Sequence, residues 1–366
     1  MSHEPHDPVA NLQHRLADTE DTARPDAVAK RHSRGGRTAR ENLADLTEDA
    51  PVFEYGQLAV AAQRQRREGD ALFAETAADA VITAVGSVNS ALFSESVTRT
   101  ALIINDYTVL AGTQGYFHHR KIDRLLALAA QERLPVVMFT EGGGGRPGDT
   151  DVLVLMAGLN VPTFHQWAAL SGVVPRIAVN HGYCFAGNAA LFGAADLRIA
   201  TANSCIGMAG PAMIEGGGLG AWKPEQIGPV SVHRENGVID IVVSDEAEAV
   251  RVAKQVLACV QGPLADWECN DQEKLAELMP SNRRYTYDVR KVLNQVLDKD
   301  SFIETRPDAG RAVVTGLARV EGRAIAVLAS DCRHLGGAID GDAAVKATAL
   351  YQLAEKWQLP VVSFID

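Results

Sequence analysis

Four consecutive glycines, Gly142 to Gly145, follow the apolar run Val136 to Thr140 and precede Arg146. Such a run strips away side chains, so backbone N–H groups can approach a ligand or a developing negative charge. The chemistry open to it is that of an oxyanion hole or a phosphate cradle, with a plain flexible turn as the alternative. A nucleotide phosphate is disfavoured: neither the Gly-Lys-Ser/Thr of a Walker loop nor the complete dinucleotide fingerprint, glycines plus a following acid, is present. A second glycine turn, His181 to Asn188, joins an apparent strand at Arg176 to Asn180 to a helix opening at Gly187 and running through Phe192. It would aim amides at a helix N-terminus, where the dipole favours an anion. Two such turns at neighbouring strand ends would place two donors on one carbonyl oxygen, which is how an enolate is stabilised without a charged side chain.

Three further groupings bear on chemistry. His181, Cys184 and Asp196 are a possible nucleophilic set, the alternative being a turn histidine and a buried thiol. The glycine-rich apolar stretch Gly207 to Gly220, with Gly210, Gly217 and Gly218, would line an acyl pocket or simply let backbones pack closely. The basic stretch Lys30 to Arg40 would contact ligand phosphates or form a solvated helix face. Paired carboxylates, the usual acid–base device, are nowhere prominent.

The elements that must position these turns show an internal repeat. Leu110-Ala111-Gly112 recurs as Leu335-Gly336-Gly337, Lys121 as Lys346, and Leu134-Pro135-Val136-Val137 as Leu359-Pro360-Val361-Val362, without a gap. Upstream, Val81-Ile82-Thr83 matches Val313-Val314-Thr315, with seven extra residues in the first copy around Asn89 to Arg99 that an extra hairpin turn would absorb. Each copy reads as hairpin, helix, strand. Ala80 to Val88 and Thr100 to Thr108 have the patterning of half-buried strands. Lys121 to Arg133 spaces Ile122, Leu125, Leu126 and Ala129 as a helix, and Leu134-Pro135 ends it. The strand that follows implies parallel pairing. A further helix is expected from Asp149 to about Ser171, and Leu153-Val154-Leu155-Met156 is one of the strongest apolar runs. The second copy stops at Asp366, the counterpart of Glu141, which reads as a truncation.

Composition bounds the class. The chain has 366 residues, 46% of them hydrophobic and 22% charged, enough for a large globular core in one or two domains. Its 35 Lys and Arg against 46 Asp and Glu give a net charge of −11, which argues against a general binder of nucleic acid or anionic membrane. No apolar run approaches a membrane span, and Met1 to Asn11 carries no readable secretory signal, so the cytosol is the expected compartment. The five cysteines are scattered without a C-x-x-C pair, which fits reduced thiols; no structural metal is expected.

At these motifs the sequence resembles the carboxyltransferase component of biotin-dependent acyl-CoA carboxylases, of the acetyl- and propionyl-CoA carboxylase beta type, in the crotonase superfamily. Arg34 to Asn42 resembles the family's R-G-K-x-T-A-R-E-R motif, Gly142 to Arg146 its G-G-A-R loop, Ser171 to Ile177 its A-S-G-V-I-P-Q-I strand, and Gly182 to Ala189 its G-P-C-A-G-G-A turn. Pro224 to Pro229, Gly237-Val238 and Asp245 to Ala247 follow its E-E-L-G-G, S-G-V and D-E-x-E-A blocks, and Tyr287 to Arg290 with Asp300 to Glu304 resemble the opening of its second domain. Departures are the longer glycine run and the exchange of a family glycine and alanine for Ala186 and Asn188.

The resemblance implies a mixed α/β, crotonase-like ββα superhelix, duplicated, with its second copy cut short. It implies a polar N-terminal tail at 1–28, an acyl-CoA-binding carboxyltransferase domain at 29–270, a linker or helix at 271–299 and the start of a second crotonase-like domain at 300–366. The implied reaction moves a carboxyl group from carboxybiotin to the α-carbon of an acyl-CoA through an enolate held by backbone amides. By resemblance those donors are at Gly143, Gly144, Ala186 and Gly187, and substrate contacts fall to Gly142, Gly145, Arg146, Gly182 and Cys184. The implied partners are a biotin carboxyl carrier protein or biotin carboxylase subunit and further copies of the chain in a hexamer. No A-M-K-M site occurs here, so biotin is expected to come on a partner or a missing segment, and the isolated chain is expected to be inactive. The rival expectations are a biotin-dependent decarboxylase and a non-catalytic assembly subunit.

Overall fold

The computed structural model describes residues 7–152, 161–282 and 284–366. Within the first 28 residues, Pro8–Ala17 is a helix (α1), capped by the Asp7 side chain; Pro25–His32 (α2) follows, and Arg24 ties this region to Asp106 at 2.9 Å. Thr38 and Glu41 form a capping box at the start of Ala39–Thr47 (α3), the arrangement their spacing favours.

A mixed sheet carries the first two thirds of the chain. Its strands are Phe53–Glu54 (β1), Val81–Ser87 (β2), Arg99–Asn105 (β3), Val136–Phe139 (β4), Arg176–Asn180 (β5), Leu197–Thr201 (β7) and Ile241–Val243 (β9), adjacent in that order. The short strands Tyr183–Phe185 (β6) and Cys205–Gly207 (β8) pair separately. From β3 onward the pairing is parallel. Helices Gly69–Glu75 (α4), Glu95–Thr98 (α5), Tyr116–Glu132 (α6), Thr163–Ala169 (α7), Gly187–Gly193 (α8), Pro211–Gly216 (α9), Val230–Glu235 (α10) and Glu246–Gln261 (α11) intervene or follow. Alternate strand residues go to opposite faces. Ile82, Leu102, Ile104, Val137 and Phe139 pack with α3 and α11, whereas Val81, Ala101, Ile103, Val136 and Met138 pack with α6, α7 and α8. Both faces are covered, as parallel strands require.

After Val289–Val296 (α12), a second sheet orders Ile303–Thr305 (β10), Val313–Val320 (β11), Arg323–Ser330 (β12) and Val361–Phe364 (β13), with Gly341–Trp357 (α13) between the last two strands. Leu317, Ala326 and Leu328 of this sheet share one apolar core with α11, so the helix is packed between the two sheets. The pairings coincide with those of the first sheet. Val81 faces Asn105 and Val313 faces Ser330 across antiparallel pairs; Ala101 faces Val136 and Ala326 faces Val361 across parallel ones. Lys121 Nζ donates to the Val81 carbonyl and Lys346 Nζ to that of Val313 at 2.8 Å. Left-handed residues recur at Leu110 and Leu335, and at Arg133 and Gln358.

Three local expectations are corrected. The extra residues between β2 and β3 form the single helical turn α5 rather than another hairpin turn, with Val88 N bonded to the Thr98 carbonyl at 3.0 Å. Helix α6 begins at Tyr116, five residues early, because carboxylates remote in sequence cap it: Asp149 accepts from Tyr116 N at 2.8 Å and Asp79 from His118 N at 2.6 Å. That same use of Asp149 removes it from the helix expected to begin there; the helix found is α7, and Leu153 to Met156 lie outside the described residues. No helix among the described residues is long and apolar enough to cross a membrane.

Candidate functional site

Strands β4 and β5 are parallel neighbours, with Val136 opposite Arg176, so the glycine turns that leave their C-terminal ends emerge side by side. This is where open parallel sheets bind ligands. The turns are stitched together: Gly142 N donates to Tyr183 O at 2.7 Å and Phe185 N to Gly142 O at 3.0 Å. A Cβ on Gly142 would lie 2.3 Å from the Gly112 carbonyl, so only glycine permits this approach.

A cavity of about 860 Å³ opens over the two turns. Of the expected residues it gathers Gly143, Gly145, Arg146, Ala186, Gly187 and Gly210. Gly142, Gly144, Gly182 and Cys184 do not line it. Gly142, Gly144 and Cys184 are buried, and Cys184 is bridged to Gly142. Gly217 and Gly218 are exposed at the far end of α9 and do not contribute. Phe185 of the second turn and Met213 of the glycine-rich stretch also line it, and Gln114, Tyr116 and Phe164, which the sequence did not single out, complete the wall. Gln114 brackets the loop, accepting from Arg146 N at 2.9 Å and donating to Gly144 O at 2.8 Å.

The hydrogen bonds sort the amides. Gly143 N donates to Ala111 O at 3.0 Å, Gly144 N to Asn188 Oδ1 at 3.0 Å and Ala186 N to Gly207 O at 2.9 Å. Three of the four expected oxyanion donors are therefore occupied within the fold. The N–H groups of Gly145 and Gly187 have no acceptor among the described residues, and both residues line the cavity. Helix α8, which starts at Gly187, is only seven residues long, so individual amides rather than a macrodipole carry the electrostatics here.

Charged groups at the cavity are neutralised. Arg146 pairs with Asp79 and Asp149 and bonds Thr113 Oγ1 at 3.1 Å. His119 is pushed down to about 4 by burial and the neighbouring Arg146, and is therefore uncharged at neutral pH. The nucleophile set does not assemble: burial raises the Cys184 thiol to about 12, and Asp196 pairs with Arg176 at 2.7 Å. The basic stretch is likewise turned inward in part, with Arg31 paired to Glu141 and Glu246, Arg37 to Asp45 and Arg40 to Glu54. Among the described residues no group of three or more His, Cys, Asp or Glu is placed to hold a metal ion.

The model of the carboxyl transferase domain family matches residues 30–366. The chain belongs to the carboxyl transferase domain family. A relative from Mycobacterium tuberculosis, the biotin-dependent long chain acyl-coenzyme A carboxylase beta4 subunit, is 28% identical over 98% of this chain and 67% of its own length. Among solved structures, a single-chain, multi-domain long-chain acyl-CoA carboxylase superposes with a TM-score of 0.95 at 49% identity, over 99% of this chain and 36% of that one. The transcarboxylase 12S hexamer shares the fold, with a TM-score of 0.83 at 24% identity over 100% of this chain and 72% of that one. The carboxyl transferase chain thus spans about two thirds of the curated relative and about a third of the single-chain carboxylase. Within the carboxyl transferase domain, the two glycine turns are among the parts that resembled family motifs in the sequence, and they meet at the cavity.

Proposed function

We propose that this chain supplies the carboxyltransferase site of a biotin-dependent acyl-CoA carboxylase, in which a thioester enolate is held by the N–H groups of Gly145 and Gly187. The observation that carries this reading is that each glycine turn presents to one cavity an amide with no acceptor among the described residues, while the cavity's acids and bases are already paired or neutral. Loss of an α-proton turns the thioester carbonyl into an enolate, and two fixed donors stabilise its oxygen without reorganisation; each such donor is worth roughly 10²–10³ in rate. The α-carbon then bonds to the carboxyl carbon of carboxybiotin, a substrate delivered on a carrier protein, as the bond from that carbon to the ureido nitrogen breaks, and the α-proton ends on the nitrogen that gave up the carboxyl group. A hydratase or isomerase would need a positioned free carboxylate. Asp149, the carboxylate lining the cavity, is engaged by Gln63, Tyr116 N and Arg146.

Residues 29–270 form the acyl-CoA-binding unit in this reading, 271–299 the connection and 300–366 the opening of a second crotonase-like unit. The coincident strand registers, the two buried lysines and the recurring left-handed residues support descent of both units from one ββα ancestor. Partners are a biotin carrier or biotin carboxylase component and further copies of the chain.

The test is a transfer assay on the whole assembly with carboxybiotin-loaded carrier and acetyl-, propionyl- and longer acyl-CoAs. Carboxylated product from one thioester is the expected result and names the substrate. Release of CO₂ from a carboxylated thioester without forward transfer indicates a decarboxylase. Proton exchange at the α-carbon without biotin indicates another crotonase activity, and silence throughout a folded assembly leaves the assembly role.

A further inference from the structure

Both glycine turns leave the sheet from a buried group of charges that the mechanism above does not use. Glu141 immediately precedes Gly142, and His181 immediately precedes Gly182. Their side chains meet beneath the turns, with His181 Nδ1 3.3 Å from Glu141 Oε2 and 3.4 Å from Glu246 Oε2. Glu246 stands at the start of α11, and Arg31 reaches in from α2. Arg31 Nη1 donates to Glu141 Oε1 at 3.0 Å, and its Nη2 lies 3.2 Å from Glu246 Oε1 and 2.9 Å from His181 Nδ1, a nitrogen that accepts this N–H in the neutral ring and in the charged ring turns its own N–H to the two carboxylates. Arg37 N and Asn42 Nδ2 bond the Glu246 carboxylate at 2.9 and 2.8 Å, and the Phe139 ring meets the imidazole edge to face at 5.6 Å. Tyr107 lies beyond Arg31, its ring 5.9 Å from the guanidinium.

Two features couple this group to the turns. A Cβ at Gly182 would lie 2.0 Å from Glu141 Oε1, so the carboxylate is packed directly against the second turn while its own backbone begins the first. Charge balance supplies the other. Two carboxylates face one guanidinium, and the set is neutral only when the imidazole is also charged; a buried, uncompensated charge is costly.

We propose that His181, with Arg31, Glu141 and Glu246, clamps the two glycine turns in the geometry that presents the Gly145 and Gly187 amides, and that the clamp loosens when the imidazole loses its proton. His181 is thus a positioning residue, one that acts through the turns rather than on substrate. The inference rests on the proposed function only for its catalytic consequence. Burial favours the neutral ring, but the Glu141 and Glu246 carboxylates outweigh it and hold His181 above its ordinary value despite Arg31. The sign follows: with the folded value raised, the contribution is complete below the ordinary histidine range and is lost as pH rises through the folded value.

Hydrogen exchange on the assembled protein tests this, with rates corrected for the intrinsic pH dependence of amide exchange. Segments 142–148 and 182–188 are expected to lose protection by about tenfold as pH rises from ~6 to ~9, while β2 and β3 keep theirs. In His181→Asn, which keeps a donor near the Nδ1 position but cannot titrate, the same segments are expected to be pH-independent. Wild-type turns whose protection is constant over this range, or losses spread evenly through the sheet, would overturn the clamp; the wild-type measurement stands even if the variant does not fold. In turnover, kcat should show a descending alkaline limb in the wild type and none in His181→Asn, with KM for the acyl-CoA changed less than kcat. If no acyl-CoA is turned over yet the exchange behaves as stated, the function reading fails and the clamp survives.

Discussion

The Oδ1 of Asn188 accepts the N–H of Gly144 at 3.0 Å, with both residues buried. A side chain from the first turn of α8 thereby occupies an amide of the neighbouring loop, whereas the Gly145 amide at the cavity has no acceptor among the described residues. Replacing Asn188 with alanine strands a buried N–H, an event that costs about 1–3 kcal/mol. Asn188→Ala is therefore expected to lower the unfolding free energy by that order, read as a lower urea midpoint with an unchanged slope. It should also reduce turnover several-fold by freeing the loop. A variant of full stability and activity would show that the hydrogen bond does not position the loop.

Ala186 carries φ 50 and ψ −117, a conformation that costs a residue with a Cβ about 1–3 kcal/mol. Glycine removes that strain, at an offset of about 0.4–1 kcal/mol from the greater entropy of the unfolded chain. The strain term is the larger, so Ala186→Gly should stabilise the fold by roughly 1 kcal/mol. Calorimetry would register a melting temperature a few degrees higher. A lower melting temperature would mean the alanine methyl contributes packing that outweighs its backbone.

Gly142 and Gly145 are equivalent in the sequence and opposite in the structure. An added Cβ at Gly142 meets the Gly112 carbonyl and Asn188 Nδ2, each at 2.3 Å, whereas at Gly145 it meets nothing within 4 Å. Gly142→Ala must displace a backbone and should both destabilise the fold and abolish activity. Gly145→Ala keeps its amide and should melt within ~1 °C of the wild type. Equal melting temperatures for the two variants would refute the close approach at Gly142.

These contrasts mark where the sequence was readable. The hairpin, helix and strand of each unit follow from alternation, helical spacing and Leu134-Pro135, and residues 81, 101, 136 and their counterparts take the same registers in both sheets. The two glycine turns were also visible, because side-chain-free runs after apolar strands have few uses. Which amide is free was not visible, since that depends on acceptors as remote as Ala111, Asn188 and Gly207. The carboxylate pair at His181 was missed for the same reason: Arg31, Glu141, His181 and Glu246 are spread over more than half of the chain, and no local pattern links them. Asp149 misled for the converse reason, an acid with the look of a helix start that instead caps α6 from a distance.

Acid should expose the charge group directly. Burial opposes ionisation of Glu246, but His181, Asn42 and Arg31 outweigh it and hold the carboxyl at about 2. A carboxylate lowered in the folded state adds stability that is complete above its unfolded value and is lost as pH falls through the folded one. For Glu246 the window runs from about pH 4.5 down to about 2, and the contribution at stake is at most about 3 kcal/mol. Glu246→Gln removes the titration and leaves Arg31 and His181 short of an acceptor, so its stability at neutral pH should be lower than that of the wild type. Between pH 4.5 and 2, however, its unfolding free energy should fall less steeply. Urea unfolding at a series of pH values measures both effects, and parallel curves for the two proteins over that window would show that Glu246 is not held ionised by the group around it.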